Sequence, residues 1–516
     1  MLLVTIMAPL QIPALLAYIL VSLLAIITYV VYQLHLSPLK SVPGPLWAKL
    51  SPWWRVVKVS TGNWQQHSID LHEKYGRIVR IAPNEISITD PEAINKVYGH
   101  TGHSWRKAKW YHTWDPGDKV KGPHPLFNDT NVSRHREHRR MLSRAYSMTY
   151  SLGLETYIDP VITCFMKKMH SLAGSKLDLS IWAQFLAYDV MSELAFGQPW
   201  RLMEKGYDEL RLLESVHVHM ACASVSGWTW KQYRAAFFAL PRWILNNTIL
   251  KRLKKTIDRH PRGIIEDIVR KNLRLSASPD RRDLLAHFAS IEKPDGRPLT
   301  QLEIFGESMT VVNAGADTSA ISFRAAVRYI ASSPRVCKRL QQEIDEAAAD
   351  GRLSDVVQYS EAQNLPYFQA VLKEALRMFP AVGFDLPRRA PRGGTQLAGI
   401  WLPENSVVAV NAWSLHRNRD IYGEDAKEFR PERWLEGDHR LMDACFGSFG
   451  FGNRTCVGKN LALLELNKML PTLFRDFDVD ICHPDQPWDV ITSWFSYQAD
   501  FFVRMAPRKQ NCTTSA

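Results

Sequence analysis

The chain has 516 residues, of which 46% are apolar and 22% charged, ample for a large buried core. Seven cysteines, at 164, 222, 337, 445, 456, 482 and 512, are odd in number and irregular in spacing, with no CxxC pair. That excludes a disulfide framework and points to a reducing compartment. The net charge of +12 permits an acidic partner, yet no nucleic-acid-binding motif accompanies it; anionic lipid and an acidic redox protein fit better than nucleic acid.

No Lys, Arg, Asp or Glu precedes Lys40, and Leu10 to Tyr32 is predominantly apolar. At about 1.5 Å per residue this stretch reaches roughly 35 Å, enough to cross a bilayer. A cleaved signal peptide would need a basic start and a small-residue cleavage site, and neither is evident. Lys40, Lys49, Arg55 and Lys58 follow, which places the chain after the span on the cytoplasmic side. Val42-Pro43-Gly44-Pro45 reads as a stiff turn. The expected organisation is an anchor over residues 1–39 (span about 10–32), a Pro-rich hinge over 40–60, and one large folded unit over 61–516.

Within that unit, 77–82 and 85–89 alternate around Pro83-Asn84 and predict a β-hairpin. Ser104 to Pro125 predicts an irregular loop, Ser133 to Ser147 a helix, and Asp178 to Phe196 a helix stopped at Gly197. Residues 200–260 carry helical stretches broken at Gly227 and Pro241. Leu299 to Ala331 predicts a long, broadly apolar and therefore buried helix, and Leu365 to Met378 another, stopped before Pro380. Trp401 to Val410 predicts a hairpin around Pro403-Glu-Asn, and 486–506 short strands. The fold class is mainly α with a small peripheral β region.

Three motifs carry chemistry. The decapeptide Phe449-Gly-Phe-Gly452-Asn-Arg454-Thr-Cys456-Val-Gly458 precedes a helical run from Lys459. Its glycines let the backbone turn tightly against a flat partner. A cysteine at a helix N-terminus faces unpaired N–H groups that favour the thiolate, the state that binds metal. Arg454 can meet a carboxylate and Phe449 can pack on a large apolar ring, so a planar iron macrocycle bearing propionates satisfies the whole set; a lone cysteine by a glycine turn is otherwise a structural core residue. Ala314-Gly315-Ala316-Asp317-Thr318 lies midway along the long apolar helix. Gly315 would let a flat ligand or O2 lie close, and the Thr318 hydroxyl can bond back to the Ala314 carbonyl. The same residues equally suit a helix crossing. Glu374 and Arg377 stand three apart on one helical face, ahead of Phe429-Arg-Pro-Glu-Arg433-Trp.

Together these strings resemble the cytochrome P450 family, over nearly everything after residue 40. "LHEKYGRIVRIAPNEISITDPEAI" and "FRPERW" resemble ascomycete members near the pisatin-demethylase-like group. The resemblance implies the cytochrome P450 fold behind one N-terminal transmembrane helix. It implies haem b (iron protoporphyrin IX), with Cys456 as axial iron ligand and Phe449, Arg454 and Gly458 around it. His135 and Arg139 match propionate positions, His replacing the commoner Trp; Arg388 matches a third, with its register against Arg389 left open. Glu374, Arg377 and Arg433 form a structural ion network, and Asp317 and Thr318 manage protons. The implied activity is insertion of one oxygen atom from O2 into an apolar small molecule, in secondary metabolism or detoxification. Electrons would come from NADPH–P450 reductase, docking on the basic face of Arg134, Arg136, Arg140 and Arg144. The implied place is the endoplasmic-reticulum membrane, single-pass, with the catalytic domain cytosolic. A reductase-independent haem-thiolate isomerase or dehydratase, and a non-enzymatic haem protein, are the alternatives. The pocket should draw on 98–128, 200–250, Phe379–Leu386 and Thr492–Gln498. Sequons at Asn128, Asn131, Asn246, Asn453 and Asn511 read as chance matches, since a glycan at Asn453 would obstruct the haem loop. His416-Arg417 reads as ordinary structure.

Overall fold

A computed structural model describes the chain except for residues 1, 100–104, 115–124, 209–212, 215, 218, 219, 221–226, 229–280 and 509–516. Most of the 200–260 stretch, and Cys222 and Cys512, lie outside the described residues. Cys164, Cys337, Cys445, Cys456 and Cys482 are all free thiols.

The long helix Gln301–Ala331 is the axis of the core. Thr300 caps its start: the Thr300 side chain accepts from the Glu303 N–H and the Glu303 carboxylate accepts from the Thr300 N–H. The helix Leu179–Phe196, started by Asp178 and stopped by Gly197 at φ 77°, crosses it with Leu186, Val190 and Leu194 buried. Helices Pro366–Met378 and Lys459–Asp476 pack on its other sides through Phe368, Val371, Leu464 and Leu470. Gly315 belongs to the first crossing: a Cβ there would sit 2.5 Å from Met191 Sδ. The glycine therefore serves helix packing, not the approach of a flat ligand expected from the sequence.

The sheets lie at the periphery. Strands β1 (Ile78–Ala82) and β2 (Glu85–Ile88) form the expected hairpin. With β3 (Arg106–Lys107), β5 (Arg388–Arg389) and β8 (Val407–Ala409) they make a sheet of order β1-β2-β8-β5-β3. Strand β4 (Leu177–Asp178) joins β12 (Phe502–Pro507) and β9 (Phe477–Ile481), while β10 (Val490–Thr492) pairs β11 (Ser496–Gln498). The hairpin expected over 401–410 does not form. Instead β7 (Ile400–Leu402) pairs backward with β6 (Thr395–Leu397), and β8 runs parallel to β2. Buried Val408 and Ala409 reach the core only in that second sheet, and the Val407 N–H is taken by the Asn84 carbonyl.

One buried carboxylate organises the region between helix 366–378 and the segment 416–448. Glu374, fully buried, accepts from Arg377 Nε (2.8 Å) and Nη2 (2.7 Å), Arg433 Nε (2.9 Å), Trp434 Nε1 (2.8 Å) and the Arg430 N–H (3.0 Å). Arg377 Nη1 also donates to the carbonyls of His416 and Ala426. The three residues expected to form an ion network do so. His416 extends it: Nδ1 donates to the Arg377 carbonyl at 2.8 Å and Nε2 accepts from the Gly447 N–H at 2.8 Å. Those two bonds fix its tautomer, and burial lowers its pKa to about 3.

The apolar N-terminal helix Leu2–Val31 runs on through Tyr32–Leu36; Leu16–Leu36 is long and apolar enough to cross a membrane. The Val42–Pro45 turn lies against β1, with Val42 and Leu39 buried and the Arg80 N–H donating to the Pro43 carbonyl at 2.7 Å. A Cβ on Gly44 would sit 2.3 Å from the Arg80 carbonyl oxygen. Arg55 is buried against Glu85 and Asp385, so it adds no flanking charge beside the span.

Two outcomes follow from the buried charges. Glu374→Gln keeps the shape but leaves buried Arg377 without its anion and Arg433 with Asp425 alone; it should cost about 3–5 kcal/mol in denaturant unfolding, and an unchanged midpoint would contradict the network's role. Glu465 is fully buried beside Ser319 with neither oxygen hydrogen-bonded, and burial raises its pKa from about 4.5 to about 8. A raised folded-state pKa means that its favourable contribution is complete below about 4.5 and lost as pH rises to about 8. Glu465→Gln should therefore gain stability over the parent across that window and hold a constant advantage above it. A difference independent of pH would show that Glu465 does not titrate there.

Candidate active site

The loop Phe449–Gly458 is folded before any ligand is considered. Gly450 and Gly452 hold φ of 73° and 54°, and a Cβ on Gly452 would meet the Tyr98 carbonyl at 1.8 Å. The Cys456 N–H donates to the Phe449 carbonyl at 2.8 Å, and the Thr455 hydroxyl to the Gly452 carbonyl at 2.8 Å. Ser448 donates to the Leu376 carbonyl at 2.7 Å, tying the loop to the helix that bears Glu374. Gly458 caps the helix Lys459–Asp476, and its N–H points at the Cys456 sulphur.

Cys456 keeps accessible surface although protein surrounds it closely. Burial pushes its thiol up; the Gly458 N–H, Arg139 and Lys459 pull the other way without prevailing. The helix terminus favours the thiolate, as the sequence suggests, against the cost of burial. A metal cation at the sulphur supplies the missing charge, because a coordinating thiol is deprotonated outright.

The helix Gln301–Ala331 shows a break in its burial midway along its length. Ala314 is exposed and Thr318 half-buried, between fully buried Val312, Ala316, Asp317 and Ser319. The Thr318 hydroxyl donates to the Ala314 carbonyl at 2.7 Å, as the sequence indicates. Asp317 turns elsewhere. It is fully buried, accepts from Gln184 Nε2 (3.0 Å) and the Tyr497 hydroxyl (2.8 Å), and lies 3.5 Å from His217 Nε2. Burial works to raise its pKa, but the bonds from His217, Gln184 and Tyr497 outweigh it and hold the carboxyl below its usual range. Asp317 and Thr318 are adjacent in sequence and occupy different faces.

A cluster of cations gathers beside the loop. Arg388 is buried on β5, with Nη1 donating to the Tyr111 hydroxyl at 2.9 Å and its guanidinium 5.0 Å from the Tyr98 ring. Arg389 points outward toward Asn405. His135 is buried, and Arg139, one helical turn on, donates to the Thr455 carbonyl at 2.7 Å. Arg454 Nη1 is buried with no hydrogen-bond partner. Burial, then Arg388, lowers the Arg454 pKa to about 10; burial, then Arg454, lowers His135 to about 2. Lys107, which the sequence reading passed over inside an irregular loop, is buried here too and pushed down by burial, Arg388 and Arg454. Asp129 is the acidic group these cations feel, and it is already paired with Arg134. Among the described residues, buried cations that outnumber the carboxylates around an orphaned guanidinium N–H suit a multiply charged anion. The two carboxylates of a haem would fit that demand, and the Cys456 thiol is a group that can ligate its iron.

The segments expected to line the pocket do converge. Trp110 and Trp114 meet Trp494 at 5.0 and 6.0 Å, Phe127 meets it at 5.3 Å, and Trp228 lies 6.4 Å from Phe384. Most of 200–250 lies outside the described residues.

Residues 43–504 match the sequence profile described as Cytochrome P450. The chain is 36% identical to cytochrome P450 monooxygenase gsfF of Penicillium aethiopicum over 491 residues, covering 94% of this chain and 96% of that one. It is 32% identical to cytochrome P450 monooxygenase hepC of Aspergillus oryzae, over 89% and 91% of the two chains. It is 30% identical to a pisatin demethylase of Fusarium vanettenii, over 93% and 91%. The chain belongs to the cytochrome P450 family and is a haem-thiolate monooxygenase of fungal type.

Proposed function

We propose that the chain inserts one oxygen atom from O2 into an apolar small molecule, hydroxylating it or removing a methyl group, within fungal secondary metabolism or detoxification. The observation that carries the site assignment is the orphaned Arg454 Nη1 within the cation cluster beside Cys456. Cys456 binds the iron of haem b, Phe449 and Gly458 flank it, and Arg454, Arg388, Arg139 and His135 hold the propionates, with Lys107 adding charge. When bound, thiolate-ligated haem supplies the reductive activation of O2. The chain supplies orientation, water exclusion and protons.

Thr318 presents a hydroxyl whose hydrogen is held by the Ala314 carbonyl, so its lone pairs can fix a water on the open side of the helix. Asp317 is an ionised carboxylate on the buried side, and it reaches the half-exposed His217 through Gln184. Electrons come from NADPH–P450 reductase. Arg134, Arg136, Arg140 and Arg144 are all exposed around the helix that carries His135 and Arg139, the basic face an acidic redox partner would use. The protein sits in the endoplasmic-reticulum membrane with the catalytic domain cytosolic.

Reduced, CO-bound protein should show the red-shifted Soret band of thiolate ligation. Cys456→Ser should lose it, while Cys445→Ser, at a buried thiol pushed up to about 11, should keep it. Retention of the band in Cys456→Ser would reject the ligand assignment. Thr318→Ala removes the hydroxyl and keeps a good helix former. Haem content should change little, while reductase-driven NADPH oxidation should yield severalfold more hydrogen peroxide per NADPH. The same peroxide yield as the parent would assign Thr318 to packing alone.

A further inference from the structure

A cleft of about 670 Å³ opens between the start of the helix Trp64–Tyr75, the last turns of the helix Gln301–Ala331 and strand β10. Phe379, Trp413 and Trp488 form its aromatic side, the Phe379 ring lying 4.7 Å from Trp413 and 5.3 Å from Trp488. Thr61, Asn63 and Gln65 give it a polar side. Arg328, which lines the cleft, follows Thr318 on the same helix, roughly 15 Å along its axis. A tightly packed layer stands between the cleft and the aromatic cluster of Trp110 and Trp494. Phe379 and Phe495 are buried in it, and the Ser496 N–H donates to the Ala381 carbonyl at 2.8 Å. A Cβ on Gly383 would meet Ser496 Oγ and Thr492 Cγ2 at 2.4 Å, so β10 and β11 close directly on that segment.

Arg328 is the cation of this cleft. Its guanidinium lies 5.0 Å from the centre of the Trp488 ring, and Nη2 donates to the Gln486 carbonyl at 3.1 Å. Among the described residues no carboxylate pairs with it; Asp489 lines the same cleft but is exposed to water. Arg281 and Arg508, similarly half-buried, are each held by a carboxylate at 2.6 Å. Burial lowers the Arg328 pKa, with Tyr329 opposing. Two buried polar atoms of the lining also lack hydrogen-bond partners: Trp488 Nε1, and Oε1 of Gln65, a side chain at 4% exposure. A buried indole N–H calls for an acceptor oxygen. A guanidinium packed on an indole offers its N–H edge to a carboxylate in a two-pronged grip. The neighbouring rings accept the face or edge of an aromatic group.

We propose that this cleft is a second small-molecule site, separate from the haem pocket, and that it takes a planar aromatic carboxylate, with the rings against Trp488, Phe379 and Trp413 and the carboxylate on Arg328. The site goes beyond the monooxygenase reading and does not depend on what the enzyme oxidises. The probe is 4-benzoylbenzoate, an aromatic carboxylate that crosslinks on irradiation, applied to the full-length holoenzyme in detergent micelles. Peptide mapping should place crosslinks within 328–332 or 488–491. Added 2-naphthoate should suppress them severalfold more strongly than neutral 2-acetonaphthone at the same concentration. Arg328→Gln should lower the crosslink yield severalfold with the reduced CO band intact. If Arg328→Gln does not fold, Ser332→Trp, which fills the cleft from an exposed position, should give the same loss. Crosslinks confined to other segments would overturn the site. Equal suppression by 2-acetonaphthone would overturn the carboxylate, and an unchanged yield in a folded variant would overturn the assignment of the cleft. The crosslinking readout needs no bound iron, so its failure is distinct from a failure of the Cys456 assignment.

Discussion

A single buried carboxylate sets the frame on which the site is built. Glu374 has no access to water and satisfies its charge with donors from Arg377, Arg433, Trp434 and the Arg430 backbone. Such a network adds little net stability against an apolar core of the same shape, because desolvation nearly cancels the attraction. It adds geometry instead. Arg377 fixes the chain at His416 and Ala426, His416 fixes Gly447, and Ser448 returns to Leu376. The loop that presents Cys456 is thereby held at its entry by side chains that have no role in chemistry.

The site itself is a balance of unsatisfied charges. Burial opposes the Cys456 thiolate, and the nearby N–H and cations do not overcome it. On the neighbouring side, Arg454, Arg388, Arg139 and Lys107 repel one another, and with burial they disfavour a charge on His135. A group bringing a metal cation to the sulphur and carboxylates to the arginines relieves both at once. The chain thus carries a preorganised electrostatic demand, and folding energy elsewhere sustains it.

Much of this was legible in the sequence, and the failures have physical reasons. The cysteine loop and the Glu374, Arg377 and Arg433 motifs are local strings, so their spacing reports them. The hairpin expected over 401–410 failed because β8 pairs with β5 on one side and, in parallel, with β2, more than 300 residues away, on the other, while β7 turns back onto β6. Arg388 could not be told from Arg389 until strand alternation put one inward and one outward. Gly315 suggested a ligand, but its neighbour is Met191, a contact only the helix crossing reveals. Lys107 was missed because its place depends on cations brought from distant segments, and His416, read as ordinary structure, holds backbone groups of distant segments together. The Val42–Pro45 turn suggested a hinge, yet Arg80 and the burial of Leu39 and Val42 build it into the sheet edge.

The central claim is that Cys456 is the ligand to iron. X-ray absorption fine structure at the iron edge of the purified ferric holoenzyme measures this without substrate or reductase. The account predicts one sulphur scatterer beside the nitrogens of the macrocycle, and its disappearance in Cys456→His. A first shell of nitrogen and oxygen alone in the parent protein would contradict it.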